Sequence, residues 1–260
     1  MSTAPALIWR DPPPEAAAWI AAGVARAAGA RRAPTAVFFR ADDIGVPGAR
    51  FEMLIRLFAR HRAPLCLAVV PAWLTPQRWA ALARVGQRHP DLWCWHQHGW
   101  RHQNHEIQGK KQEFGPARSD AALARDLAQG RARLAALMGP DFCPVFTPPW
   151  NRCTAAALQW LKQNGYRGLS RSRGSQPASP AGLPEWPVDI DLHTIRAADR
   201  ASGWRTLLEA LEQSLTNTHC GVMIHHQRMN LAAFEALDLL LGQIRRYPRF
   251  QLTDFRQSPP

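Results

Sequence analysis

The sequence predicts an α/β protein whose parallel strands close into a barrel. Two observations carry the prediction. Eight short, β-rich apolar runs alternate with longer stretches of helical periodicity along most of the 260 residues, as in parallel strands joined by helical crossovers. Charged and metal-ligand-type residues gather just past the C-terminal ends of those runs, where parallel α/β folds build their sites.

In chain order, residues 1–34 read as an N-terminal extension, in which Asp11, Pro12, Pro13, Pro14 and Glu15 lead into an alanine-rich helix ending near Ala30. A barrel domain then spans 35–257. Its strands are expected at Thr35–Arg40, Leu65–Val70, Leu92–His96, Cys143–Thr147, Arg167–Ser170, Trp186–Ile190, Gly221–His225 and Phe250–Leu252. Helical patterns fall at 49–62, 76–89, 119–138, 153–164, 203–216 and 231–246, several of them closed by Gly or Pro. The connections 97–118 and 171–185 are long, and long loops in compact domains often carry function. Eight strands with helices between most of them favour a barrel over an open sheet.

Composition narrows the class. The 17 Gly and 22 Pro are dispersed and 46% of residues are hydrophobic, which excludes a collagen, a disordered tail or a coiled coil. Thirty-two Lys+Arg against 20 Asp+Glu leave +12, a surplus that invites a polyanion partner. The arginines are scattered singly or in pairs such as Arg31–Arg32 and Arg245–Arg246, so they read as surface composition and nucleic acid is not the expected partner. A second role expected of them is attraction of a phosphate-bearing sugar precursor. No run approaches the ~20 apolar residues of a bilayer span, and no basic segment precedes an apolar core at the start, so a cytoplasmic location is expected. Five cysteines without a C-x-x-C pair suit free, buried thiols.

The chemistry-bearing residues follow the strand ends. Asp42–Asp43 follow the first strand, and His98-Gly99-Trp100-Arg101-His102 follow the third. Pro148-Pro149-Trp150-Asn151-Arg152 follow the fourth, Asp189 and Asp191 end the sixth, and His225–His226 end the seventh. Two histidines four apart can reach one cation, and a carboxylate from another strand completes a hydrolytic metal arrangement. Asp-Asp before Gly can also be a simple turn or helix cap, and the histidines can be surface residues. Paired carboxylates permit a division of labour, one binding the metal and the other accepting a proton. A histidine held by a carboxylate, His225 with Asp189 or Asp191, fits the acid that chemistry then needs.

These segments resemble, in order, the motifs of the polysaccharide deacetylases, the carbohydrate esterase family four or NodB-homology group. Arg40-Ala41-Asp42-Asp43-Ile44-Gly45 is similar to Thr-Phe-Asp-Asp-Gly, and His98 to His102 to His-x-x-x-His. Phe146-Thr147-Pro148-Pro149-Trp150-Asn151 is similar to Phe-Arg-Pro-Pro-Tyr-Gly, the Asp189/Asp191 strand to the later aspartate motif, and Met223-Ile224-His225 to Leu-x-His. The resemblance implies a distorted (β/α)7–8 barrel and a metal-dependent hydrolase that removes an N- or O-acetyl group from a sugar or sugar-containing precursor. It implies Asp43, His98 and His102 as ligands of a divalent metal, Zn²⁺ with Co²⁺ or Ni²⁺ as alternatives. It further implies Asp42 as general base, His225 as general acid, and a backbone N–H near Trp150 at the oxyanion. Trp150, Trp100, Pro149, Asn151 and Arg152 are the expected substrate contacts, with Trp93, Trp95 and Trp186 either sugar platforms or core. Two departures stand out: Thr147 replaces the arginine that tethers the base, leaving Arg152, Arg40 or Arg101 to substitute, and His226 follows His225 where the family has Asp. An amidase acting on a non-sugar C–N bond and a catalytically silent glycan-binding homologue are the competing readings.

Overall fold

A computed structural model of the chain describes residues 4–30, 33–195 and 197–257, so the Arg31–Arg32 pair lies outside the described residues. Eight parallel strands form one sheet in the order β5-β4-β3-β2-β1-β7-β6, with β8 paired to the start of β1. They are β1 Thr35–Ile44, β2 Leu65–Val69, β3 Trp93–His98, β4 Phe142–Thr147, β5 Gly168–Leu169, β6 Ile190–Asp191, β7 His219–Ile224 and β8 Phe250–Thr253. Helices α3 Ala49–Arg60, α4 Pro76–Gly86, α5 Asp120–Met138, α6 Ala155–Gln163, α7 Arg200–Leu215 and α8 Leu231–Arg245 fill the crossovers. Ahead of them lie α1 Leu7–Arg10 and α2 Ala16–Ala30. Ile20, Val24 and Ala27 of α2 join the same apolar cluster as Leu207, Leu211, Leu237 and Leu241 of α7 and α8.

Period-2 alternation sorts the strands into an outer and an inner face. Val37, Phe39 and Ala41 of β1, Leu65, Leu67 and Val69 of β2, and Trp93 and Trp95 of β3 pack outward in the main cluster with the helices. Phe38, Cys66, Cys94, Cys143, Val145, Trp186, Val188, Met223 and Phe255 fill the barrel floor. All five cysteines are free and buried. Trp93, Trp95 and Trp186 are therefore core residues, each at most 4% exposed, and are not sugar platforms.

The barrel closes through an irregular seam. Instead of the regular strand Trp186–Ile190, residues 184–188 pair with the β5 side through Leu169 N–H to Pro184 O, Trp186 N–H to Leu169 O and Val188 N–H to Arg171 O. From Asp189 onward the chain pairs with β7, Asp189 N–H to Gly221 O and Leu192 N–H to Met223 O. Pro184 and Pro187 lack the N–H that a ladder needs, which confines β6 to two residues. Gly168 is required at this seam, because a Cβ there would lie 2.1 Å from Trp186 Cζ3. No helix among the described residues is long and apolar enough to cross a membrane.

Candidate metal centre and cleft

The first strand runs beyond Arg40 through both aspartates to Ile44. Asp42 continues the inward alternation of Phe38 and Arg40, so a regular strand would point Asp43 outward. Asp43 instead has φ +64°, and the β1–β2 register shifts between Ala41 and Ile44, an irregularity that re-aims a side chain. Asp42 thus meets Arg40 while Asp43 meets His98 and His102, and the pair is not the cap of α3, whose N-cap is Gly48. Asp43, His102, Trp150 and Asn151 are four of the five described non-glycine residues at positive φ, so left-handed backbone concentrates at this end of the barrel.

Asp43 Oδ1 stands 3.4 Å from His98 Nε2 and 3.1 Å from His102 Nε2. One donor atom from each of the three residues lies within 4.8 Å of the others. Buried Asp43 Oδ1 has no hydrogen-bond partner. His98 Nδ1 donates to Thr147 O at 3.0 Å, which turns the Nε2 lone pair toward Asp43, the way a backbone acceptor orients a metal-binding imidazole. One carboxylate oxygen and two imidazole nitrogens are a donor set for a divalent first-row ion, with positions left open. Burial tends to raise the Asp43 carboxyl, but the adjoining His98 and the nearby His102 and His225 hold it below the ordinary carboxylate range. Burial beside His98 pushes His102 down to about 4, keeping a free lone pair at neutral pH.

The Arg40 side chain is wholly buried. It donates from Nε to Asp42 Oδ1 at 2.8 Å and from Nη2 to Asp42 Oδ2 at 2.9 Å. It also reaches Asn151 Oδ1 and Ser170 Oγ, each at 2.8 Å. Of the three candidate substitutes for the tethering arginine, this one is bonded to Asp42. Burial tends to raise the Asp42 carboxyl, but the Arg40 guanidinium, with His98 and His225, holds it below its ordinary value. Thr147, at the arginine's position in the resembled motif, accepts or donates at 3.0 Å to His96 Nε2.

The loop from His98 to His102 is fastened from below by a residue with no motif to mark it. Buried Glu113 accepts the backbone N–H of Trp100 at 3.1 Å and of Arg101 at 2.6 Å. Gly99 at φ +60° makes room, since a Cβ there would lie 2.1 Å from Glu113 Oε2 and 2.6 Å from Pro149 Cγ. The Trp150 ring lies 4.5 Å from the His102 ring, tilted by 55°, and the Trp73 ring lies 5.9 Å from it; no motif marks Trp73. Trp100 packs against the cluster under α5 and α6, Pro149 is buried against Gly99, and Arg152 Nη1 donates to Lys111 O at 3.2 Å.

The β1–β7 register pairs Ala41 with Ile224, which sets His225 at the same strand ends as Asp42. Neither expected carboxylate is joined to His225. Asp189 accepts from Arg173 Nε and, at 2.9 Å, from Gly221 N–H. Asp191 caps its own turn by accepting from His193 N–H at 3.0 Å and Thr194 N–H at 2.9 Å. The group behind His225 is His193, fully buried, whose Nδ1 accepts the His225 backbone N–H at 3.1 Å.

No family model matches the chain, and no curated protein matches it in sequence. Solved structures do match its fold. A protein designated a polysaccharide deacetylase from Mycobacterium smegmatis superposes with TM-score 0.63 over 87% of this chain and 92% of that one, at 16% identity. A CE4 esterase from Streptococcus mutans gives 0.57 over 87% of each chain at 13% identity. A family 4 acetyl xylan esterase from Clostridium thermocellum, in complex with a cobalt ion, gives 0.54 over 82% of this chain and 85% of that one at 11% identity. The chain therefore has the distorted (β/α) barrel of the polysaccharide deacetylases, the fold that the sequence resemblance implied.

Proposed function

We propose that this protein is a metal-dependent hydrolase that removes an acetyl group, as amide or ester, from a sugar or sugar-containing precursor. The observation that carries the reading is the divided aspartate pair: Asp43 faces two imidazoles, while Asp42 faces a guanidinium. Asp43, His98 and His102 would hold a divalent cation, Zn²⁺, Co²⁺ or Ni²⁺. Such an ion supplies Lewis acidity toward the acyl oxygen and the attacking water. Asp42, kept ionised by Arg40, accepts the proton of the attacking water through lone pairs that the two Arg40 bonds leave free. Asn151 N–H and Arg152 N–H are committed to the carbonyls of Pro148 and Pro149, so the Trp150 N–H is the backbone donor proposed for the developing oxyanion. His225 protonates the departing amine or alcohol. Trp150, Trp73 and Asn151 form the wall against which the sugar lies. A cytoplasmic setting and a barrel domain starting at residue 35 remain part of this proposal.

The test is metal content and acetate release together. The purified protein is expected to retain a divalent metal and to release acetate from acetylated sugars. Asp43→Ala and His102→Ala are expected to lose both, and Asp42→Asn only the turnover. Absence of bound metal with no rescue by Zn²⁺, Co²⁺ or Ni²⁺ defeats the proposal.

A further inference from the structure

The loop that carries His102 also carries a tip that the chemistry does not use. Asn104 closes its neck: Oδ1 accepts from Glu106 N–H at 3.2 Å and Gln112 N–H at 2.9 Å, and Nδ2 donates to Glu106 O at 2.9 Å. His105 N–H donates to Gln112 O at 3.0 Å alongside. Beyond this clamp the chain turns at Gly109, φ +79°, and displays Ile107 at 96% exposure, the highest of the large apolar residues described. Lys110 and Lys111, two of only three lysines in the chain, are exposed beside it. The acids that flank the tip in sequence are withdrawn: Glu106 Oε1 accepts Ala117 N–H at 3.3 Å, and Glu113 is buried under the ligand loop. Arg152 braces Lys111 O from the cleft wall, so the tip is an ordered projection fixed to the site.

A single exposed aliphatic residue is ordinary on a protein surface. An isoleucine held almost entirely in solvent on a clamped tip, next to two cations from which both neighbouring acids have been turned away, matches the chemistry of an anionic lipid surface. The same end of the barrel exposes Val46 (51%) after β1 and Leu231 (66%) at the start of α8, with Arg50 and Arg101 also exposed there. We infer that residues 106–111 dock the cleft end of the barrel onto an anionic phospholipid surface, with Ile107 entering the headgroup layer and Lys110 and Lys111 meeting lipid phosphates. A bilayer fits better than an acidic protein because headgroups close around one projecting side chain, whereas a protein partner needs a broad complementary patch of roughly 800 Å² per side.

The test is co-sedimentation of the full chain with vesicles of phosphatidylcholine alone or mixed with phosphatidylglycerol. Binding is expected to the mixed vesicles and to weaken with salt. Each lysine near such a surface is worth about a fivefold change in affinity, so Lys110→Gln/Lys111→Gln is expected to bind about 25-fold more weakly. Ile107→Ser is expected to lose about tenfold at unchanged charge. Arg84→Gln/Arg88→Gln, an equal charge loss at the opposite end of the barrel, is expected to bind within about twofold of wild type. Failure of the wild type to bind mixed vesicles overturns the inference and leaves an acidic protein as the occupant. An equal loss in the Arg84/Arg88 variant overturns it as well, because the overall +12 charge would then account for binding. None of these outcomes depends on acetate release, so docking and the proposed hydrolysis stand or fall separately.

Discussion

Arg40 grips Asp42 with two parallel hydrogen bonds of 2.8 and 2.9 Å from two positions earlier on the same strand. Both side chains point into the barrel because the strand period is two, and both are buried, at 0% and 4% side-chain exposure. The fork geometry that only arginine offers therefore comes from the strand that carries Asp42 itself.

Removal of one partner strands the other. Arg40→Leu is expected to destabilise the fold by about 3–5 kcal/mol, because Asp42 is left as an uncompensated buried charge. Arg40→Leu/Asp42→Leu is expected to recover most of that stability without recovering turnover. Urea denaturation of the single and double variants provides the comparison, and strict additivity of the two losses would contradict the coupling.

Glu113 is not one of the three grouped donors, yet it fixes the loop that ends in His102. Glu113→Ala frees the N–H groups of Trp100 and Arg101, and its expected cost is about 10–100-fold in metal affinity, as for other residues that orient ligands. Gly99→Ala is expected to act alike by displacing the same carboxylate. Chelator competition measures both; an unchanged affinity in either refutes the bracing role.

Histidines outside the ligand set make stability pH-dependent. Burial holds His226 down at about 4, and burial with the neighbouring His225, His226 and Arg228 holds His193 well below its ordinary value. Their unfolded values lie near 6.5, so in the window below 6.5 the unfolded chain binds more protons. Their stabilising effect is complete above about 6.5 and is lost as the pH falls toward 4; for His226 it amounts to about 3 kcal/mol. His226→Gln should flatten this part of the stability–pH curve in urea titrations at pH 5 and 7, and an unaltered slope would count against it.

Trp150 sits at φ +57°, a conformation costing a non-glycine residue roughly 1–2 kcal/mol. Trp150→Gly is therefore expected to be about 1 kcal/mol more stable than Trp150→Ala, while both lose the ring beside His102 and bind acetylated sugar more weakly. Paired denaturation curves and KM values separate the backbone effect from the ring effect.

Strand positions and the residues at their C-terminal ends were legible because apolar alternation and polar interruption are local patterns. Asp42, Asp43, His98 and His102 stand at one site for that reason. What the chain leaves unwritten is pairing across the barrel. Glu113 is one acid in a long loop, and its role appears only when the loop folds back beneath Trp100 and Arg101. Asp189 and Asp191 stand at a strand end, but two prolines make that strand irregular and their carboxylates turn to Arg173 and to the backbone of residues 193 and 194. His193 lies behind His225 through a single hydrogen bond between sequence-distant segments. The period of β1 did hold one missed clue: residues 40 and 42 had to share a face.

Positions 40 and 147 divide one guanidinium and one hydroxyl between two strands. The resembled motifs carry threonine on the first strand and arginine on the fourth, whereas here Arg40 and Thr147 hold the opposite arrangement. The two positions are therefore interlocked: with Arg40 already bonded to Asp42, Asn151 and Ser170, an arginine at 147 would give up the Thr147–His96 contact and add a second buried cation where one already neutralises the carboxylate.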